Sequence, residues 1–208
     1  MGITIHYSGR IRDTADIDKL SLQLEFAARE LGWPFERLDE RLLGTADYLQ
    51  FETGEDELGT YTTFSEDTRP IDDRWRGLLI LPPETESVTI AFNHAGELMN
   101  YVPMNDTGHY FATPYVFTKT QFSTVDTHIA VCNLLRLVTP YMAEWEVMDE
   151  GEYWERQDRE RLAELMGFLA DRIQNLSEQV DGQVEIGKQI TLNKPDWAND
   201  WGISAHEN

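Results

Sequence analysis

Residues 115–155 read YVFTKTQFSTVDTHIAVCNLLRLVTPYMAEWEVMDEGEYWE, and the rest of the chain is interpreted around them. Tyr115–Phe122 alternates, with Tyr115, Phe117, Lys119 and Gln121 on one face and Val116, Thr118, Thr120 and Phe122 on the other, which is the period of a strand. Ser123 and Asp126 form a capping box for a helix from Thr124 to about Val138. Ile129, Val131, Cys132, Leu134, Leu135, Leu137 and Val138 leave it little polar face, so it is expected to be buried. Pro140 ends it. Trp145, Val147 and Asp149 then share one face of a second strand, which Gly151 breaks. A right-handed crossover would make the two strands parallel near neighbours.

Working outward, Ile3, Ile5 and Tyr7 alternate with Thr4, His6 and Ser8 in a half-buried strand. Asp13 caps a helix carrying Ile17, Leu20, Leu24, Ala27 and Leu31 at helical spacing, and Gly32 and Pro34 stop it. The pattern weakens from Phe35 to Arg76. Residues 48–64 read as a surface hairpin with Tyr48 and Phe51 facing Tyr61 and Phe64, and 66–74 as a loop broken at Pro70. Leu78–Leu81 and Val88–Phe92 are strands. The turn at Asn93–Gly96 is expected to return the chain through Leu98–Val102 as a hairpin partner, before a loop over 103–108.

Downstream, Asp158 caps a helix marked by Leu162, Leu165, Met166, Leu169, Ile173, Leu176 and Val180, and 183–192 reads as a strand. The expected fold is α+β: a single domain over 1–192, a mixed, mainly antiparallel sheet of about five to seven strands, and three main helices packed on it. A polar tail, 193–208, carries Trp197 and Trp201.

A chain of 208 residues with 41% hydrophobic residues is long enough for one real core. Its apolar runs are too short to span a bilayer, residues 1–13 do not read as a secretory signal, and the single cysteine, Cys132, has no internal disulfide partner. The cytoplasm is therefore the expected compartment. A formal net charge of −21 argues against nucleic acid or an anionic membrane as partner, because the phosphates would be repelled. The charge, with 13 Arg to 4 Lys, fits simple solubility, a salty habitat or a basic partner. Oligomeric state is left open.

No zinc motif, phosphate loop or nucleophile elbow occurs, and no cofactor or metal is expected. His128 and Cys132 stand four apart on one helix face, the spacing of a nucleophile–base pair; a hydrogen-bonded core histidine beside an inert thiol explains them more simply. Asp149, Glu150, Glu152 and Glu155, interleaved with Tyr153 and Trp154, are the most unusual local composition. Paired carboxylates next to aromatic rings suit acid–base work or capture of a cation, and a solvated turn is the plainer account. Lys119 and Gln121, on one strand face, are expected to meet Glu150 or Glu152 across the crossover. His94 and His109 read as turn residues.

The preferred expectation is a non-enzymatic binding protein whose surface at Glu150, Glu152, Tyr153, Trp154 and Glu155 engages a basic protein or cationic ligand. The alternative is a small hydrolase-like or metal-assisted enzyme using Lys119, Gln121, His128, Glu150 and Glu152.

Overall fold

The alternation at the start of the chain produces β1 (Thr4–Ile11), which turns its apolar set, Ile5, Tyr7 and Ile11, into the core. Asp13 accepts a hydrogen bond from the Ala15 amide at 2.9 Å and opens a short 3-10 turn leading into α1 (Ile17–Glu30). The helix buries Ile17, Leu20, Leu24 and Ala28. Gly32, at φ +69°, turns the chain out of it. The computed structural model describes residues 3–56, 59–105 and 108–168. One compact unit spans Met1–Ala170.

The chain then forms β2 (Phe35–Asp56) and β3 (Gly59–Ile80), an antiparallel hairpin paired along its whole length. The register sets Phe51 opposite Phe64, as the sequence suggests, but Tyr48 opposite Asp67 and Tyr61 opposite Gly54. Residues 66–74, expected as a loop, are strand. Their charges belong to cross-strand pairs: Arg41 grips Asp72 at 2.8 and 2.9 Å, and Arg74 grips Asp39 at 2.6 and 2.7 Å. Pro70 does not break the strand because it stands opposite Thr45, whose amide donates to the Gly108 carbonyl on the other side. The missing N–H of Pro70 therefore faces away from β2, where β3 has no partner among the described residues.

The remaining strands are β4 (Val88–Phe92), β5 (Asn100–Asn105), β6 (His109–Thr113), β7 (Val116–Lys119) and β8 (Met142–Asp149). They divide between a three-stranded sheet, β7-β1-β8, and a five-stranded sheet, β4-β3-β2-β6-β5. Among the described residues only β2 and β6 pair in parallel. The protein is α+β and mainly antiparallel. Of residues 98–102, expected as the hairpin partner, only the start returns alongside β4, through the Phe92–Leu98 bridge and the Met99 amide donating to the Ala91 carbonyl at 2.9 Å; the chain then enters β5, which pairs with β6.

Helix α2 (Val125–Val138) is capped by Thr124, which accepts from the Thr127 amide, so the cap sits one residue after the expected Ser123. A turn at Thr139–Tyr141 leads to β8, then α3 (Tyr153–Arg156) and α4 (159–168). The expected continuation of the last helix to Val180, the strand at 183–192 and the tail 193–208 lie outside the described residues.

The two sheets share one core. Ile5, Tyr7, Val116 and Met142 from the smaller sheet meet Leu78, Ile80, Val88, Ile90 and Phe92 from the larger, with α1 and α2 packed among them. Fully buried, the Tyr7 hydroxyl meets Thr118 at 3.2 Å and accepts from the Thr89 amide at 3.1 Å, joining the sheets. Burial pushes that hydroxyl up to about 12.

Candidate functional site

Two groups of candidate residues lie on opposite faces of β7-β1-β8. The inner group is built where α2 lies against the end of β8. His128, on the first turn of α2, points into the core because Val131, Cys132 and Leu135 share its face. Its Nε2 meets Asp149 Oδ2 at 3.1 Å, and its Nδ1 meets Thr120 Oγ1 at 2.7 Å. Asp149 also accepts from the amides of Gly151 at 2.7 Å and Trp154 at 2.9 Å, and the Cys132 thiol points at it from 3.8 Å. Gly151 sits where a Cβ would stand 2.9 Å from His128 Cε1 and 2.8 Å from Leu162 Cδ1, so any side chain there would have to displace both.

His128 and Asp149 have no exposed side-chain surface. Burial alone would raise the Asp149 carboxyl, but the His128 hydrogen bond and charge, with the two amides, hold it below its ordinary value. Burial, followed by the Asp149 charge, drives the Cys132 thiol far above the range where thiolate forms. One donor atom each from His128, Cys132 and Asp149 falls within 4.8 Å, the spacing of a metal triad. Every one of those atoms already has a partner, and both His128 nitrogens are used. The group ties α2, β8 and α3 together and satisfies polar atoms that would otherwise be buried alone.

Lys119 does not reach the acidic turn. Strand β1 runs between β7 and β8, so the two crossover strands are parallel but about 10 Å apart. Lys119 pairs instead with Glu86, Nζ to Oε1 at 3.4 Å, and Gln121 is half-buried just past β7. The turn pairs with arginines of its own: Glu152 meets Arg156 at 2.9 Å and Arg161 at 3.7 Å. The Arg136 guanidinium lies 4.4 Å from the Trp154 ring centroid and donates to the Trp154 carbonyl at 2.6 Å. Tyr153 and Trp154 are half-buried against the core, and Glu155 is exposed. His94 and His109 sit beside Asp73 and Asp47 at 2.8 and 2.7 Å.

The outer face of the three-stranded sheet is the arrangement sequence reasoning missed. His6 on β1 stands between Phe117 on β7 and Met148 on β8. Tyr115 joins them, its hydroxyl 2.5 Å from His6 Nδ1, and the rings of His6, Tyr115 and Phe117 lie 5.2 to 6.3 Å apart. Glu150 closes the row, with Oε1 3.5 Å from His6 Nε2 and Oε2 accepting from the Thr4 amide at 2.9 Å. Phe117 is 36% and Met148 53% exposed, and Glu144 and Glu146 continue the face along β8. The one signal in the sequence was the alternation that sent His6 outward. What it lacked was the pairing that brings residues more than 100 positions away to its side.

No family model matches the chain, and no curated protein or solved structure is detectably similar to it. No helix among the described residues is long and apolar enough to cross a membrane.

Proposed function

We propose that this protein binds a basic polypeptide through the outer face of β7-β1-β8, without catalysis of its own. The observation that carries this reading is the row Phe117–His6–Met148: Phe117 and Met148 are left open to solvent on either side of a half-buried His6, on a sheet face that also bears Glu144, Glu146 and Glu150. Exposed apolar surface with an acidic rim suits a partner that is apolar at its centre and cationic at its edge. The net charge of −21 speeds the approach of such a partner. Glu150 belongs both to this face and to the acidic turn, whose remaining groups at Glu152, Tyr153, Trp154 and Glu155 form the rim beyond it.

β1 and β8, eight residues each and about 25 Å long, with the four-residue β7, about 13 Å long, lie about 4.8 Å apart and make a face of roughly 300 Å², well below the roughly 800 Å² per partner of a standard interface. The contact is therefore weak, reversible and sensitive to salt. A small hydrolase-like or metal-assisted enzyme built on Lys119, Gln121, His128, Glu150 and Glu152 would need these groups together in an open cleft. His128 is sealed inside, and Lys119 is held by Glu86.

A photo-crosslinking side chain placed at Met148, and separately at Leu22 on α1, tests the reading. Leu22 is also exposed, at 57%, but lies on a different surface. In extracts of the source cells, adducts with basic proteins are expected from position 148, weakening as salt is raised. Equal adducts from both positions, or none from 148, would overturn the proposal.

A further inference from the structure

Next to the aromatic row, on the same sheet face, is a cleft of about 440 Å³. Ser8, Gly9 and Arg10 of β1 form its floor, and Glu97, Glu144 and Glu146 are among its walls. Gly9 lets β1 and β8 pass closely here: a Cβ there would lie 2.2 Å from the Glu144 carbonyl oxygen. The cleft contains three carboxylates and one guanidinium. Arg10 is paired with Glu144. Glu97 is bound by Asn93, whose Nδ2 donates to it at 2.8 Å. Glu146 has neither an ion pair nor a hydrogen bond among the described residues, and its register partner is Ser8, a small neutral side chain. The cleft is thus concave, carries excess negative charge and adjoins an aromatic surface.

We infer that this cleft takes the guanidinium or ammonium of one anchoring side chain of the basic partner, with Glu146 as its counter-charge. The inference rests on the proposed function and specifies its ligand. A chain laid along β1 sets the spacing. The apolar row is at His6 and the cleft spans Ser8 to Arg10, two to four residues further on, which is about 7–13 Å in extended chain. The recognised segment is therefore extended, with a basic residue two to four positions from an apolar or aromatic one. The first contact is charge-assisted and the second is burial of Phe117 and Met148. Arg10 does not repel the incoming cation strongly because Glu144 already neutralises it.

The test uses the whole protein and blocked five- to seven-residue peptides of the order of those spacings, carrying one arginine and one phenylalanine. Calorimetry measures affinity, and backbone amide shifts locate the contact. Amides at 8–10, 97 and 144–146 are expected to move. Glu146→Gln should weaken the arginine peptide about fivefold to tenfold, the size of one charge-assisted contact, and leave its alanine counterpart unchanged. Met148→Ala should weaken both. Both sites are on the surface, and thermal unfolding checks that each variant is folded. If Met148→Ala weakens binding while Glu146→Gln does not, the cleft inference fails and the sheet-face reading stands. If neither variant matters while a peptide binds, both fail. If no peptide binds at any spacing, the inference is overturned.

Discussion

His128 Nε2 and Asp149 Oδ2 stand 3.1 Å apart with neither side chain exposed, and that contact pins α2 to the end of β8. Removing one partner of a buried pair leaves the other uncompensated. Asp149→Ala is therefore expected to destabilise the fold by about 3–5 kcal/mol, measured by denaturant unfolding. A loss under about 1 kcal/mol would show that the pair adds nothing beyond packing.

The same contact sets an acid response. Asp149 titrates lower in the folded protein than in the unfolded chain, so between the two values the unfolded chain binds more protons and stability rises with pH. The contribution is complete above the unfolded value, about 4, and is lost as pH falls through the lower folded one. Stability of the wild type should fall more steeply below about pH 4 than that of Asp149→Asn. Parallel profiles would contradict this.

Cys132 is sealed beside the Asp149 charge, and both effects disfavour thiolate. Ellman's reagent at mildly alkaline pH should label the folded protein only as fast as it opens, and the unfolded protein at once. Rapid labelling under native conditions would mean that the helix face is open.

Two glycines separate steric from conformational cost. A Cβ at Gly77 would lie 1.9 Å from the Ile90 carbonyl oxygen, so Gly77→Ala must push β3 from β4 and should cost about 3 kcal/mol. At Gly32 nothing stands within 4 Å, and only the positive φ is at stake, so Gly32→Ala should cost about 1–2 kcal/mol. The order of the two denaturation midpoints decides it.

Trp145 packs on Tyr7 with its indole N–H buried and without an acceptor among the described residues. Trp145→Phe removes that orphaned donor along with some packing. It should leave stability within about 1 kcal/mol of the wild type, against about 3–5 for Trp145→Ala.

Elements whose side chains divide cleanly between core and solvent were legible in the sequence. The strand at Thr4–Ile11, the helix at Ile17–Glu30 and the buried helix at Val125–Val138 follow directly from periodicity. The hairpin from Phe35 to Ile80 did not, because Asp39, Arg41, Asp72 and Arg74 gain partners only across strands, and in sequence they look like a solvated loop. The same limit hid the site. Periodicity put Tyr115 and Phe117 on one face and His6 on another strand's outer side, but nothing local says that β1 enters between β7 and β8. That insertion keeps Lys119 from the acidic turn and assembles the aromatic row.

The central place of β1 also fixes a timetable. Thr4 is bonded to Glu150, 146 residues later, and apart from one bridge between Arg10 and Glu97 β1 has no described strand beside it until β7 and β8 exist. During synthesis β1 gains its first strand partner only with β7, at Val116–Lys119, and its second only with β8, at Met142–Asp149. Closure over so long a loop is slow. The interval between the emergence of β1 and that of β8 is when this chain is most open to capture by a chaperone or to aggregation.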